Sequence, residues 1–80
     1  MKREEIQEKV YEIINDVLAV DGKVELNDDL SLKGELGADS LDIVAIVSEI
    51  EETFDVEVKE EVIEQMTTIK DIINKLVEMQ

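Results

Sequence analysis

From Glu4 to Leu18, apolar residues recur at Ile6, Val10, Ile13, Ile14, Val17 and Leu18, three and four positions apart, with charged residues between them. That spacing lines one face of a helix and predicts an amphipathic first helix. The pattern then dissolves. Between Ala19 and Ala38, Gly22, Asn27, Asp28, Asp29, Gly34 and Gly37 break any period, while Leu26, Leu30, Leu32 and Leu36 are expected to anchor the segment in the core. A connector this long without structure of its own is uncommon and usually functional. A second helix is predicted from Ser40 to about Thr53, burying Ile43, Ile46, Val47, Ile50 and finally Phe54. A short helix near 60–65 would present Val62 and Ile63, with Met66 just after it. Thr68 with Asp71 resembles a helix start, and Ile69, Ile72, Ile73, Leu76 and Val77 give the last helix its apolar stripe. Val56 and Val58 alternate with acids, but no second strand exists to pair with them. The expected fold is all-α: a single domain over 1–80, built as a small helical bundle of three main helices plus one short helix, with a long loop between the first and second.

Composition narrows how such a bundle holds together. Eighty residues lie near the lower end of what an apolar core can stabilise alone, and the absence of cysteine rules out disulfides and cysteine-ligated zinc. Helix packing therefore has to suffice. The hydrophobic 44% is nearly all Val, Ile and Leu, with Tyr11 and Phe54 the only aromatics, so an aliphatic interior is expected. No apolar run approaches a membrane span, and the N-terminal MKREEIQEKV lacks the apolar core of a signal peptide, which makes a cytoplasmic protein the expectation.

Charge then selects partners. Twenty-two acids against eight bases give a net charge of −14, which opposes binding to nucleic acid or anionic lipid and favours basic partners. Between Lys33 and Lys70 the only base is Lys59, whereas that stretch carries Glu35, Asp39, Asp42, Glu49, Glu51, Glu52 and further acids. A solvated helix face would account for a few of them, but less well for their gathering around Ser40. Intrinsic catalysis is not expected. The chain has no histidine to activate a serine, and none of its lysines or carboxylates falls at a motif spacing. An EF-hand frame laid from Asp29 puts Gly34 at its sixth position, but Lys33 and Ser40 then stand where ligands are required. No specific metal site is predicted, only loose divalent binding by the clustered acids. Gly34 and Gly37 are not followed by the Gly-Lys-Ser/Thr of a phosphate loop.

The stretch ELGADSLDIVAIV leaves two readings of Ser40. In one, Asp39 and Ser40 simply begin a helix, an ordinary use of these residue types. In the other, Ser40 is a point of attachment. In the first turn, free N–H groups and the positive end of the macrodipole favour an anionic substituent by roughly 0.3 to 1 kcal/mol. Gly37 and Ala38 are expected to leave the approach open, and Leu41 could serve a modifying enzyme as an apolar handle.

LGADSLDIV, Leu36 to Val44, resembles the phosphopantetheine attachment motif of acyl carrier proteins. The resemblance extends over the amphipathic first helix, the long loop, EIEETFDVEV from Glu49 to Val58 and MTTIKDII from Met66 to Ile73. It implies that Ser40 is esterified by 4'-phosphopantetheine, transferred from coenzyme A by a magnesium-dependent holo-synthase, and that acyl groups ride on the arm's thiol. The missing nucleophile would thus be imported, and the serine would need activation only once, by another enzyme. The resemblance also implies a cavity that admits an acyl chain between the helices. Basic-surfaced acyl-transfer and fatty-acid synthesis enzymes would be gripped through Asp39, Asp42, Glu49 and Glu52, with Leu41 and Ile43 as apolar contacts, by a monomer. Ala45 stands where the family often has an acid, Ser48 where it has a bulky apolar residue, and Lys59 where many members have proline. Ala45 is expected on the outward side of the second helix with Asp42, Glu49 and Glu52. The main expectation is a carrier for fatty-acid biosynthesis. The alternatives are a specialised carrier for polyketide, lipid-modification or aminoacyl pathways, and an unmodified acidic helical adaptor.

Overall fold

The computed structural model describes residues 2–18 and 25–79. It contains α1 (Arg3–Leu18), α2 (Ser40–Phe54), α3 (Glu60–Gln65) and α4 (Ile69–Met79), the order and approximate bounds that the apolar spacing predicts. Glu4 and Glu5 occupy the first turn of α1, where negative charge complements the free N–H groups. Its inner face carries Ile6, Val10, Ile13 and Ile14 into the core, and Val17 and Leu18 are half-buried at its end. This face packs against both α2 and α4.

The core is aliphatic, as composition requires. Ile46 and Ile50 from α2 and Ile69, Ile72, Ile73 and Leu76 from α4, all at most 1% exposed, belong to one core cluster, which also includes the buried Phe54. Val77, expected in the same stripe, is instead exposed. It lies eight residues after Ile69, at the edge of the stripe that Ile69, Ile72, Ile73 and Leu76 bury.

The valines at 56 and 58 form no strand. α2 ends on Asp55 in the left-handed region (φ 54°), a conformation that a short polar side chain tolerates better than most. The Glu51 carboxylate then accepts a hydrogen bond from the Val58 N–H at 2.9 Å and turns Val58 into the core. The alternation reflects a loop with one fully and one partly inward valine.

The described part of the long connector is tied down along its length; Gly22, expected to break the chain there, lies outside the described residues. Leu32 is buried, and Leu26, Leu30 and Leu36 pack half-buried against the core, so all four anchors make contact. Its backbone also serves α4. The Ile69 and Lys70 N–H groups donate to the Leu30 and Asp28 carbonyls at 3.1 and 2.8 Å, Leu32 donates to the Thr67 carbonyl at 3.0 Å, and Ser31 bridges Thr68. A capping box completes that helix start: Asp71 N–H donates to Thr68 Oγ1, and the Asp71 carboxylate accepts from the Thr67 and Thr68 N–H groups. The Thr68 N–H bond, with the others, holds the Asp71 carboxyl below the usual range.

A side-chain knot not anticipated from the sequence fixes the connector to α1. Tyr11 Oη donates to Asp28 Oδ1 at 2.7 Å, Gln7 Nε2 donates to the same oxygen at 2.9 Å, and Arg3 pairs with Asp28 Oδ2 at 3.5 Å. The bonds from Tyr11 and Gln7 hold the Asp28 carboxyl below its ordinary range. Burial and the neighbouring carboxylate push the Tyr11 hydroxyl up to about 12.

Candidate functional site

The connector delivers the chain to the N-terminus of α2 through two unlike residues. Gly37 takes φ +68°, the conformation for which a side chain is disfavoured, and no atom lies within 4 Å of where its Cβ would be. Ala38 is buried, contrary to the expectation that it stands open on the approach; its N–H donates to the Leu32 carbonyl at 2.8 Å. The open side is therefore Gly37 alone.

Asp39 is the N-cap, as expected. Its Oδ1 accepts from the Asp42 N–H at 2.9 Å, and Asp42 Oδ2 reaches back to accept from the Asp39 N–H at 3.1 Å. Both carboxylates thus face their own helix start, and Asp42, read from sequence as a surface acid for partners, is half-buried in a capping role. The consequence falls on Ser40. Because the neighbouring acids supply the capping, its hydroxyl is exposed in the first turn and makes no hydrogen bond among the described residues.

Beside Ser40 opens a groove of about 410 Å³. The connector contributes Ser31, Lys33 and Gly34; α2 contributes Ser40, Ile43 and Val44; the far wall is Ile63, Glu64, Met66 and Thr67. Ile43, Val44, Ile63 and Met66 make its lining largely apolar, with Ser31, Lys33, Ser40, Glu64 and Thr67 adding polar groups. Gly34 lets Ser31 approach closely in this wall: a Cβ there would come within 2.5 Å of Ser31 Oγ, which accepts from the Glu35 N–H.

The expected partner contacts are only partly brought together on one surface. Leu41 is 79% exposed, and Glu49 and Glu52 are fully on the outside of α2. Ile43 is 8% exposed and lines the groove, so it does not serve as an outer contact. Val44, next to it, is 61% exposed, an outward apolar side chain that the sequence reading missed; an apolar residue off the buried stripe of α2 was the available signal. Ala45 is half-buried and not fully outward. The loose divalent binding expected of the acid-rich stretch finds no built site: among the described residues no three carboxylates gather closely enough to hold a metal ion.

An exposed hydroxyl thus stands at a capped helix start with a groove alongside. The family described as "Phosphopantetheine attachment site" matches residues 8–76. An acyl carrier protein of Rubrobacter xylanophilus is 41% identical over 80 residues, 100% of this chain and 98% of its own. One from Prochlorococcus marinus is 40% identical over 73 residues, 91% of this chain and 90% of its own. The crystal structure of an acyl carrier protein from Thermotoga maritima superposes with a TM-score of 0.80 at 27% identity, covering 98% of this chain and 89% of that one. The chain belongs to the acyl carrier protein family, whose cofactor is 4'-phosphopantetheine. Among the described residues no helix is long and apolar enough to cross a membrane.

Proposed function

We propose that Ser40 Oγ is the atom that receives the arm, and that residues 1–80 act as one carrier domain in fatty-acid biosynthesis. The observation that carries this reading is the division of labour at the helix start: Asp39 and Asp42 satisfy the backbone, and the Ser40 hydroxyl is left exposed beside the groove. In loading, the Ser40 Oγ–P bond forms as the P–O bond to the 3',5'-ADP leaving group of coenzyme A breaks. The hydroxyl proton passes to a base of the holo-synthase, and the chain itself supplies no catalysis. Once bound, the arm provides a terminal thiol that holds acyl groups as thioesters. The groove then shelters apolar groups against Ile43, Val44, Ile63 and Met66.

Basic partner enzymes meet a surface of Leu41, Val44, Glu49 and Glu52, with Asp39 and Asp42 adding charge from the cap and Ile43 reached only through the groove. The protein acts as a cytoplasmic monomer. Full-length likeness to the Rubrobacter and Prochlorococcus proteins supports a general carrier. Peptide mapping of the loaded protein tests the attachment: the arm is expected on Ser40 and on neither Ser31 nor Ser48, since Ser48 lies inside α2 and Ser31 precedes no helix. Transfer of malonyl groups to the loaded protein by a fatty-acid-synthesis transferase tests the pathway, and refusal of malonyl with acceptance of an aminoacyl group would contradict it.

A further inference from the structure

Lys33 stands on the groove wall that the connector contributes, in the same groove as Ser40. It is the only base between Lys23 and Lys59, in a chain whose net charge is −14. Its backbone is held on both sides. Ser31 N–H donates to the Glu35 carboxylate, Glu35 N–H donates to Ser31 Oγ, and the buried Leu32 is bonded to Thr67 and Ala38. The long side chain is exposed, so the ammonium can swing across the groove mouth from a fixed base. The ion pairs among the described residues are Arg3–Asp28 and Lys75–Glu78, and Lys33 is in neither. Across the groove the other charged lining residue is Glu64.

A phosphodiester on Ser40 would add negative charge next to Asp39 and Asp42. Its attractions in that neighbourhood are the free N–H groups of the α2 start and the Lys33 ammonium. We propose that Lys33 is a positioning residue for the arm: its ammonium pairs with the phosphodiester on Ser40 and so directs the arm into the groove rather than out over α2. This rests on Ser40 being the attachment point.

The test compares apo and loaded wild-type protein by amine-selective labelling near neutral pH, with Lys59 as internal reference and loading verified by intact mass. Lys33 labelling is expected to fall about threefold on loading, the size of an exposed ion pair, while Lys59 is unchanged. The fall is expected to vanish in high salt. The ³¹P resonance of loaded Lys33→Gln is expected to move from its wild-type position, and that of Lys33→Arg to return towards it. Equal Lys33 labelling before and after loading would overturn the proposal even if Lys33→Gln failed to fold. Protein that takes up no arm would overturn the Ser40 reading instead, and this one with it.

Discussion

A helix start must find acceptors for its free N–H groups, and at residues 39–42 two aspartates share that role while the serine between them does not take part. Replacing Asp39 with Ala should therefore cost about 1 kcal/mol of stability, read as a lower urea midpoint at unchanged slope. A midpoint equal to wild type would mean that Ser40 had taken over the cap. Gly37 is the other residue the site depends on. Gly37→Ala meets no atom but must hold φ +68°, so a loss of about 1 kcal/mol from backbone strain alone is expected in the same measurement. The capping role of Asp39 was legible in sequence. That of Asp42 was not, because the reciprocal partner in a capping box is ordinarily Glu or Gln, and an Asp there reads as one more surface acid.

A connector with little regular structure holds its wall of the groove through a few fixed ties. Its anchors are Leu32, the backbone bonds to the start of α4, and the Asp28 knot. Asp28, with its carboxyl pKa lowered in the folded state, contributes stability that is present above the unfolded value of about 4 and is lost as pH falls through the folded one. Asp28→Asn should accordingly be less stable than wild type at pH 7, with the gap closing on acidification below that range. Tyr11 works at the other limb. Its pKa is raised to about 12, so its contribution is complete below about pH 10 and lost as pH rises through 12, and Tyr11→Phe should lack that alkaline decline. Chemical denaturation across pH checks both.

Helix bounds were legible because aliphatic residues repeat at helical spacing, and α4 shows the limit of that rule. Ile73→Ala should cost 2–5 kcal/mol, whereas Val77→Ala should change stability by less than about 0.5 kcal/mol, since Val77 is exposed. Periodicity gives a stripe but not the width that a neighbouring helix covers. The knot of Arg3, Gln7, Tyr11 and Asp28 could not be read from sequence at all, because Asp28 is separated from the three by 17 residues or more and polar pairs carry no period.

For the whole molecule, 14 excess negative charges share a body of 30 × 25 × 20 Å. At physiological salt the screening length is about 8 Å, so only neighbouring acids repel; at 0.01 M it is about 30 Å, and charges on opposite faces do so too. The melting midpoint at pH 7.5 should therefore rise by several degrees between 0.01 M and 0.15 M sodium chloride, and a flat response would show that repulsion does not limit the fold. On the proposed reading, the same field steers basic partners. Reversing Glu49 and Glu52 together should slow association with the holo-synthase at low salt and make it less salt-dependent.

All of these effects surround one atom. Wild-type protein and Ser40→Ala, each treated with coenzyme A, magnesium and a holo-synthase, can be compared by intact mass, with circular dichroism as the check on folding. One arm is expected on the wild type and none on the variant, with the helical signal nearly unchanged because Asp39 and Asp42 still cap α2. An arm on a folded Ser40→Ala protein would contradict the account.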